Sequence, residues 1–499
     1  MTAALVLFAL VGAVASAAAK KHSNKSKQQR LERKAAPHGP LGHAGRWIID
    51  TRGRVVVLHG LNMVYKRPPY YPAAAGFGAD DAQFLHRNGF NTIRLGVIHK
   101  GVEPSPGVYD DSYIAQIAAT EQILAKQGIF SLVDFHQDLL NERFGGEGLA
   151  DWAVLDDGLA AGQSGFPGTY QTSPGLNRAF DNFWANAAGP GGVGIQDLYG
   201  AAWRKVAAAF AAAPNVLGYD IFNEPWPGSN YVSCIGTAGC PGFDANQLTD
   251  FNRRTIGYIR QADGTHLVFY EPLSPFNFGS QTYIGNSGDA RTGFSFHDYC
   301  LSSSAGHASS DGCKQSEPLA FQNAEAESQR NGDALILSEF GATTDLEALT
   351  RIEGLADANR VSWQEWHYCA CDDPTTSGPG SEQALVIDPA QPPSGANVEQ
   401  DKLRALVRPY PQAVAGTPRN WSFDPTDRRF VLVFDKAAAT GSGSLGRGLT
   451  DLFIPKLIYP HGYRIKVRGA AVLSRPNAQQ LILRTEAKAK AVSVSVVPG

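Results

Sequence analysis

Eight short apolar runs that read as buried strands recur between Val55 and Tyr368, most of them separated by helix-like segments. The runs are Val55–Asn62, Thr92–Val97, Ile129–His136, Val216–Glu224, Leu267–Glu271, Phe294–Tyr299, Ala334–Phe340 and Val361–Tyr368. Helical periodicity fills Ala79–Asn88, Asp111–Lys126 and Ile195–Ala213, the last stopped by Pro214. Strand and helix alternating over this length predict an α/β fold with a parallel sheet. Eight repeats predict that the sheet closes as a (β/α)8 TIM barrel rather than lying open. No Gly-x-Gly-x-x-Gly follows the first run, which argues against a dinucleotide fold.

The texture changes near Pro409. Arg429–Phe434, Tyr463–Arg468, Gln480–Thr485 and Val492–Val497 are short alternating runs divided by turn residues, with no helix pattern between them. They predict a C-terminal antiparallel β-sandwich over residues 409–499, after a barrel over 45–408. Such a domain could bind carbohydrate; a packed structural appendage is the preferred reading.

Residues 2–19 form an apolar, Ala-rich run with small residues at its end, so 1–19 reads as a secretory signal peptide and the protein as secreted. No Lys or Arg precedes the run, and a retained membrane anchor or a misplaced start stay open as alternatives. The basic cluster from Lys20 to Lys34 reads as a solvated linker over 20–44. Six cysteines fit an oxidising compartment. Cys234 with Cys240 and Cys300 with Cys313 flank short loops and are expected to pair; a Cys369–Cys371 bridge would be strained. The formal net charge of -3 gives no general attraction to nucleic acid.

Reactive groups of a barrel sit at the carboxyl ends of its strands. Arg94 lies in the second run, His136 ends the third and Asn223-Glu224 the fourth. His297 and Tyr299 end the sixth, Glu339 the seventh, and Trp366 lies near the end of the eighth. Asn223 and Glu224 are adjacent, so both reach one site only if the strand ends or bulges there, and Pro225 favours an end. Arg94 in an apolar strand requires a buried anion, for which Glu339 is the natural candidate. Two carboxylates brought together at strand ends are what glycosidic cleavage requires.

Arg94, His136, Asn223-Glu224, His297-x-Tyr299, Glu339 and Trp366 together resemble the residue set of family 5 glycoside hydrolases. More narrowly, Gly60-Leu61-Asn62-Met63-Val64-Tyr65-Lys66 and Asp134-Phe135-His136-Gln137-Asp138 resemble the endoglycoceramidases, as does a barrel followed by a β-sandwich. The resemblance implies a retaining enzyme that releases intact oligosaccharide from the ceramide of glycosphingolipids, some members of the group preferring gala-series lipids. It implies Glu339 as nucleophile and Glu224 as acid/base, with Arg94 and Tyr299 holding Glu339 charged. Asn223 would bind the sugar 2-hydroxyl, His136 and His297 would orient sugar and carboxylates, and Trp366 would stack on the ring. Lys66, Asp134 and Asp138 would take further hydroxyls, a solvated surface position being the alternative reading of Lys66.

No cofactor or metal is implied, because hydrolysis through two carboxylates needs none. A ceramide aglycone requires an apolar slot, for which Leu139, Leu140, Phe144, Trp152, Trp226 and the run Pro275–Phe278 are the candidates. Partners are then the glycosphingolipid itself and, transiently, a micelle or membrane surface, approached by a monomer. Rival readings are a β-glucosidase, glucosylceramidase or endoglucanase on the same barrel, and a non-catalytic secreted carbohydrate-binding protein.

Overall fold

The computed structural model describes residues 26–300, 312–376 and 380–499. The expected signal peptide, 1–19, and the first residues of the expected linker lie outside them. The remainder of that linker is structured: residues 26–35 are helical, and Gly42–Ala44 is a strand.

The eight expected strands close into one parallel barrel. In chain order they are β1 (His59–Met63), β2 (Thr92–Val97), β3 (Phe130–Phe135), β4 (Val216–Asp220), β5 (Leu267–Tyr270), β6 (Thr292–Asp298), β7 (Ala334–Phe340) and β8 (Ser362–Glu365). Each pairs in parallel with its sequence neighbours, and β8 returns to β1 through Trp363 opposite His59. Every residue of these strands is buried, since one face meets the helices and the other fills the barrel. In β2 the split follows the period of two: Ile93, Leu95 and Val97 join the large core, while Thr92 and Arg94 bond to groups inside the barrel. Gly60 has no alternative, because a Cβ there would lie 1.9 Å from the Thr92 carbonyl oxygen.

The first strand departs from expectation. The apolar run from Val55 serves two sheets: Val55 and Val56 pair with Val414 and Ala413 of the C-terminal region, and only from His59 does the chain enter the barrel. The hand-over occurs at Val57 and Leu58, whose N–H groups donate to the Gln412 carbonyl (3.3 Å) and the Ser362 hydroxyl (3.0 Å). An unbroken apolar run carries no mark of such a switch, because both sheets bury it.

The C-terminal region forms two antiparallel sheets. Thr417–Asp424, Arg429–Asp435, Ala491–Pro498 and Tyr463–Arg468 make one of four strands. The other has seven and takes in Gly42–Ala44, Trp47–Ile49 and Val55–Val56 from the N-terminal side, beside Tyr410–Val414. Leu41, Ile48, Val56 and Leu58 pack with Phe130, Leu132, Leu217, Leu267, Phe269, Ala334 and Ile336, a core that closes the amino end of the barrel.

A buried ion group fastens the sandwich to the barrel. Arg408 reaches Glu353 (3.0 Å) and Asp357 (2.9 Å) on the helix Leu346–Asn359, and Trp421 Nε1 of the four-stranded sheet donates to Asp357 at 2.7 Å. Arg408→Ala leaves two buried carboxylates without their cation, which costs about 3–5 kcal/mol. Chemical denaturation should show the loss; a variant as stable as the parent would mean the group contributes little to joining the two parts.

Candidate active site

The carboxyl ends of the strands surround a cleft of about 420 Å³. All of its lining residues fall between Lys66 and Gln383, so the sandwich contributes none. β4 stops at Asp220, and the chain continues irregularly to Glu224, whose φ is +42°. This abrupt end lets Asn223 and Glu224 both line the cleft. Glu339 arrives by a different device: the register between β6 and β7 slips between Leu337 and Glu339, and Glu339 comes opposite His297. Irregularities of this kind redirect a side chain next to a site.

Glu224 and Glu339 meet. An oxygen of each, with a nitrogen of His297, falls in a set whose members are all within 4.8 Å of one another. Glu224 Oε1 is 2.8 Å from His297 Nδ1 and accepts from Asn277 Nδ2 at 2.5 Å. Glu339 accepts from the Arg94 guanidinium at one oxygen and from the Tyr299 hydroxyl at the other (2.7 Å). Burial raises the Glu339 pKa above the ordinary carboxylate value, while the charges of His297, Arg94 and His136 pull it down and Glu224 pushes it up. Burial works in the same direction on Tyr299, which stays a hydroxyl donor.

Arg94 is wholly buried and binds more than the single anion expected. It pairs with Asp134 (2.9 Å), Asp220 (3.0 Å), Glu271 (2.8 Å) and Glu339, and it donates to Asn223 Oδ1 at 2.9 Å. Burial alone would lower its pKa; the carboxylates outweigh that and raise it. The Asn223 amide is thereby oriented. One hydrogen of Nδ2 goes to the Gln137 carbonyl (3.0 Å), leaving the second for a ligand in the cleft.

Not all the expected sugar contacts reach the cleft. Lys66, Asp138 and Trp366 line it, but Asp134 and His136 do not. Asp134 is spent on Arg94 and on His136 Nδ1 (2.8 Å), and His136 stacks on Trp366 with ring centroids 5.2 Å apart. They orient the lining residues from behind, a distinction that alternation along β3 could not supply once the strand had ended. Burial would lower His136, yet Asp134 and Asp138 push its pKa up to about 10. His297, likewise held charged by Glu271 and Glu339 against burial, sits behind the carboxylates rather than in the lining.

Lys66 is fixed rather than solvated. Its Nζ lies 2.7 Å from Asp138, 2.8 Å from Thr375, 3.2 Å from Asp373 and 4.5 Å from the Trp366 ring centroid. Asp138, Asp373 and Glu147 raise its pKa against the opposing effect of burial. Among the described residues, His136, Asp138 and Glu147 also have the proximity of a metal set, but the Lys66 ammonium already occupies their charge.

The apolar wall differs from expectation in membership. Leu139, Leu140 and Phe144 are buried in the core, Trp152 bonds to the Glu103 carbonyl, and Phe276 packs on Phe294 and Phe296. Trp226, Pro275 and Phe278 do line the cleft, joined by Phe166, Tyr170 and Ile235. The sequence reading missed Thr375 and Gln383 in the lining and Glu271 behind it, and took Asn277 only as part of an apolar run. Glu271 follows β5, as the strand-end rule would have indicated.

The disulfides Cys234–Cys240 and Cys300–Cys313 are present as expected. Cys369 and Cys371 are bonded too, their Cα atoms 5.2 Å apart.

Two family models match the chain: Cellulase (glycosyl hydrolase family 5) over residues 50–372, and Glycoside hydrolase family 5 C-terminal domain over 408–497. Endoglycoceramidase I of Rhodococcus hoagii is 32% identical over 458 residues, covering 89% of this chain and 86% of its own. Endoglycoceramidase of Hydra vulgaris is 28% identical, covering 84% and 81%. The solved structure of endo-glycoceramidase II from Rhodococcus sp. in its ganglioside GM3 complex superposes with a TM-score of 0.72 at 27% identity, covering 90% of this chain and 98% of its own. With both domains matched and the paired glutamates in place at the strand ends, the chain belongs to glycosyl hydrolase family 5.

Proposed function

We propose that the protein is a retaining glycoside hydrolase that cleaves the β-glycosidic bond joining oligosaccharide to ceramide in glycosphingolipids. The observation that carries this is the mixed composition of the cleft around the carboxylate pair. Lys66, Asp138, Asn223, Trp366 and Gln383 offer hydrogen bonds and a stacking face, while Phe166, Trp226, Ile235, Pro275 and Phe278 offer an apolar wall. A substrate with a sugar at one end and hydrocarbon at the other fits both. The relatives' names support the same substrate class.

The separation of the carboxylates supports a retaining mechanism. Retaining enzymes hold the pair about 5–5.5 Å apart and inverting ones about 6.5–9.5 Å, to admit a water between them. One oxygen of each carboxylate lies within 4.8 Å of the other, which favours the closer, retaining arrangement. Glu339 attacks the anomeric carbon as Glu224 protonates the leaving oxygen, and Glu224 then deprotonates the water that releases the sugar. The free Asn223 N–H is placed for a 2-hydroxyl, a contact that strengthens as positive charge builds on the sugar ring.

Access to a lipid is part of the proposal. Ile235 and Phe278 line the cleft and yet are 51% and 42% exposed, with Val232, 67% exposed, one helical turn before Ile235. An apolar rim continuous with the apolar wall suits transient contact with a micelle or bilayer surface. Export remains part of the reading as well, supported by the apolar N-terminal run and the disulfides.

Incubation with lactosylceramide should yield intact lactose and ceramide, with the β-anomer appearing first by NMR. Monosaccharide release, or activity confined to polysaccharide, would overturn the substrate; initial α-anomer would overturn the mechanism. Glu339→Ala should abolish turnover, and added azide should restore part of it as a glycosyl azide. The pH profile has a definite sign. Glu339 must be ionised to attack, so kcat/KM falls as pH drops through its pKa. Burial has raised that value, so the acid limb should lie above the ordinary carboxylate range of about 4.3. Tyr299→Phe removes a hydrogen bond to the charged form and should move the limb higher still; an unmoved limb would detach it from Glu339.

A further inference from the structure

Glu271, just past β5, is a third carboxylate behind the catalytic pair. It is 3% exposed and does not line the cleft, so it has no access to substrate. Its two oxygens are used differently. Oε1 accepts from Arg94 Nη2 at 2.8 Å and lies 3.2 Å from His297 Nε2. Oε2 accepts the backbone N–H of Glu224 itself, at 2.8 Å.

That last bond distinguishes Glu271 from an ordinary buried ion-pair member. Glu224 has a φ of +42°, in the region that L residues other than Gly seldom adopt and that surrounding structure must impose. The Glu271 carboxylate supplies one such constraint directly on its main chain. It also makes an ion contact, at 3.2 Å, with the far nitrogen of His297, whose near nitrogen is 2.8 Å from Glu224 Oε1. Glu271 therefore fixes Glu224 twice, through its backbone and through the imidazole beside its carboxyl.

We propose that Glu271 is a positioning residue for the proton transfer made by Glu224. It aims the Glu224 carboxyl at the leaving oxygen and keeps His297 in place beside the carboxylate that Glu224 becomes. The proton passes from Glu224 to the glycosidic oxygen, which takes the electron pair of the breaking C–O bond while Glu339 forms its own bond to the anomeric carbon. The charged groups facing Glu271 are Arg94 from β2, Asp220 from β4 and His297 from β6, with Glu224 and Glu339 beyond His297. Burial and the neighbouring Asp220 push the Glu271 pKa up, His297 and Arg94 pull it down, and the contact with Glu271 in turn raises His297.

The inference rests on Glu224 as proton donor, and a series of aryl β-lactosides separates the two. Turnover of both phenyl and dinitrophenyl β-lactoside by the unsubstituted enzyme is the check on the hydrolase itself. Phenolate needs a proton to leave and dinitrophenolate does not. Glu271→Gln, close in shape, should lower kcat/KM on the phenyl glycoside by about 100-fold, the low end of general-acid catalysis, and on the dinitrophenyl glycoside by less than about 3-fold. Equal losses on both would reduce Glu271 to a structural role, and no loss on either would remove it from the reaction; both overturn the proposal. Glu271→Ala also opens the backbone clamp and should lose more on the phenyl substrate; should that variant fail to fold, the Gln variant decides alone.

Discussion

One guanidinium at the centre of the barrel holds the site together. Arg94 is fully buried and reaches carboxylates contributed by β3, β4, the end of β5 and β7. Four anions in a low-dielectric interior repel one another strongly, and without a cation burial would protonate them. Arg is suited to this place because its planar fork distributes several donors and never gives up its proton. Its own burial is costly, and the surrounding carboxylates offset that cost. The arrangement fixes Glu339 from one side and, through Asn223 and Glu271, fixes the loop carrying Glu224 from another.

Much of this was legible in the sequence because a barrel turns spatial convergence into a linear rule. Polar residues in apolar strands, or just past their ends, all point toward one rim. Arg94, Asn223, Glu224, Tyr299, Glu339 and Trp366 satisfied that rule and lie at the site. What the rule lacks is depth. It cannot separate a residue that faces the cleft from one a layer behind, which is why Asp134 and His136 read as sugar contacts although they bind each other and Arg94 or Trp366. It reaches Glu271, just past β5, but not its role, which comes from the backbone N–H of Glu224 beyond the neighbouring strand β4.

Other misreadings share a cause: apolar residues report burial without reporting against what. Leu139, Leu140 and Phe144 were as plausible for a lipid slot as Ile235 or Phe166, but they are wholly buried under the rim. The run at Val55 was as good a barrel strand as any, yet its first two residues belong to another sheet. In each case the deciding information is which neighbour supplies the other half of the contact.

That shared run also bears on the C-terminal sheets. Tyr410 stacks on His59 at the start of β1 (ring centroids 3.8 Å apart), and its hydroxyl donates to the Gly89 carbonyl just before β2. The sandwich thus holds the amino ends of the first strands, while the cleft opens at their carboxyl ends. A domain placed there to deliver sugar would be on the wrong side of the barrel. One that takes in the N-terminal strands, so that their apolar residues cap the open base, has a reason to be where it is. The capped base is apolar at Leu41, Ile48, Phe269 and Ile336, and the neutral pair Thr92 and Gln364 bonds at 2.9 Å below the layer that holds Arg94. The dense charge cluster that organises catalysis is thus neutralised within its own layer, by Arg94 and the four carboxylates around it.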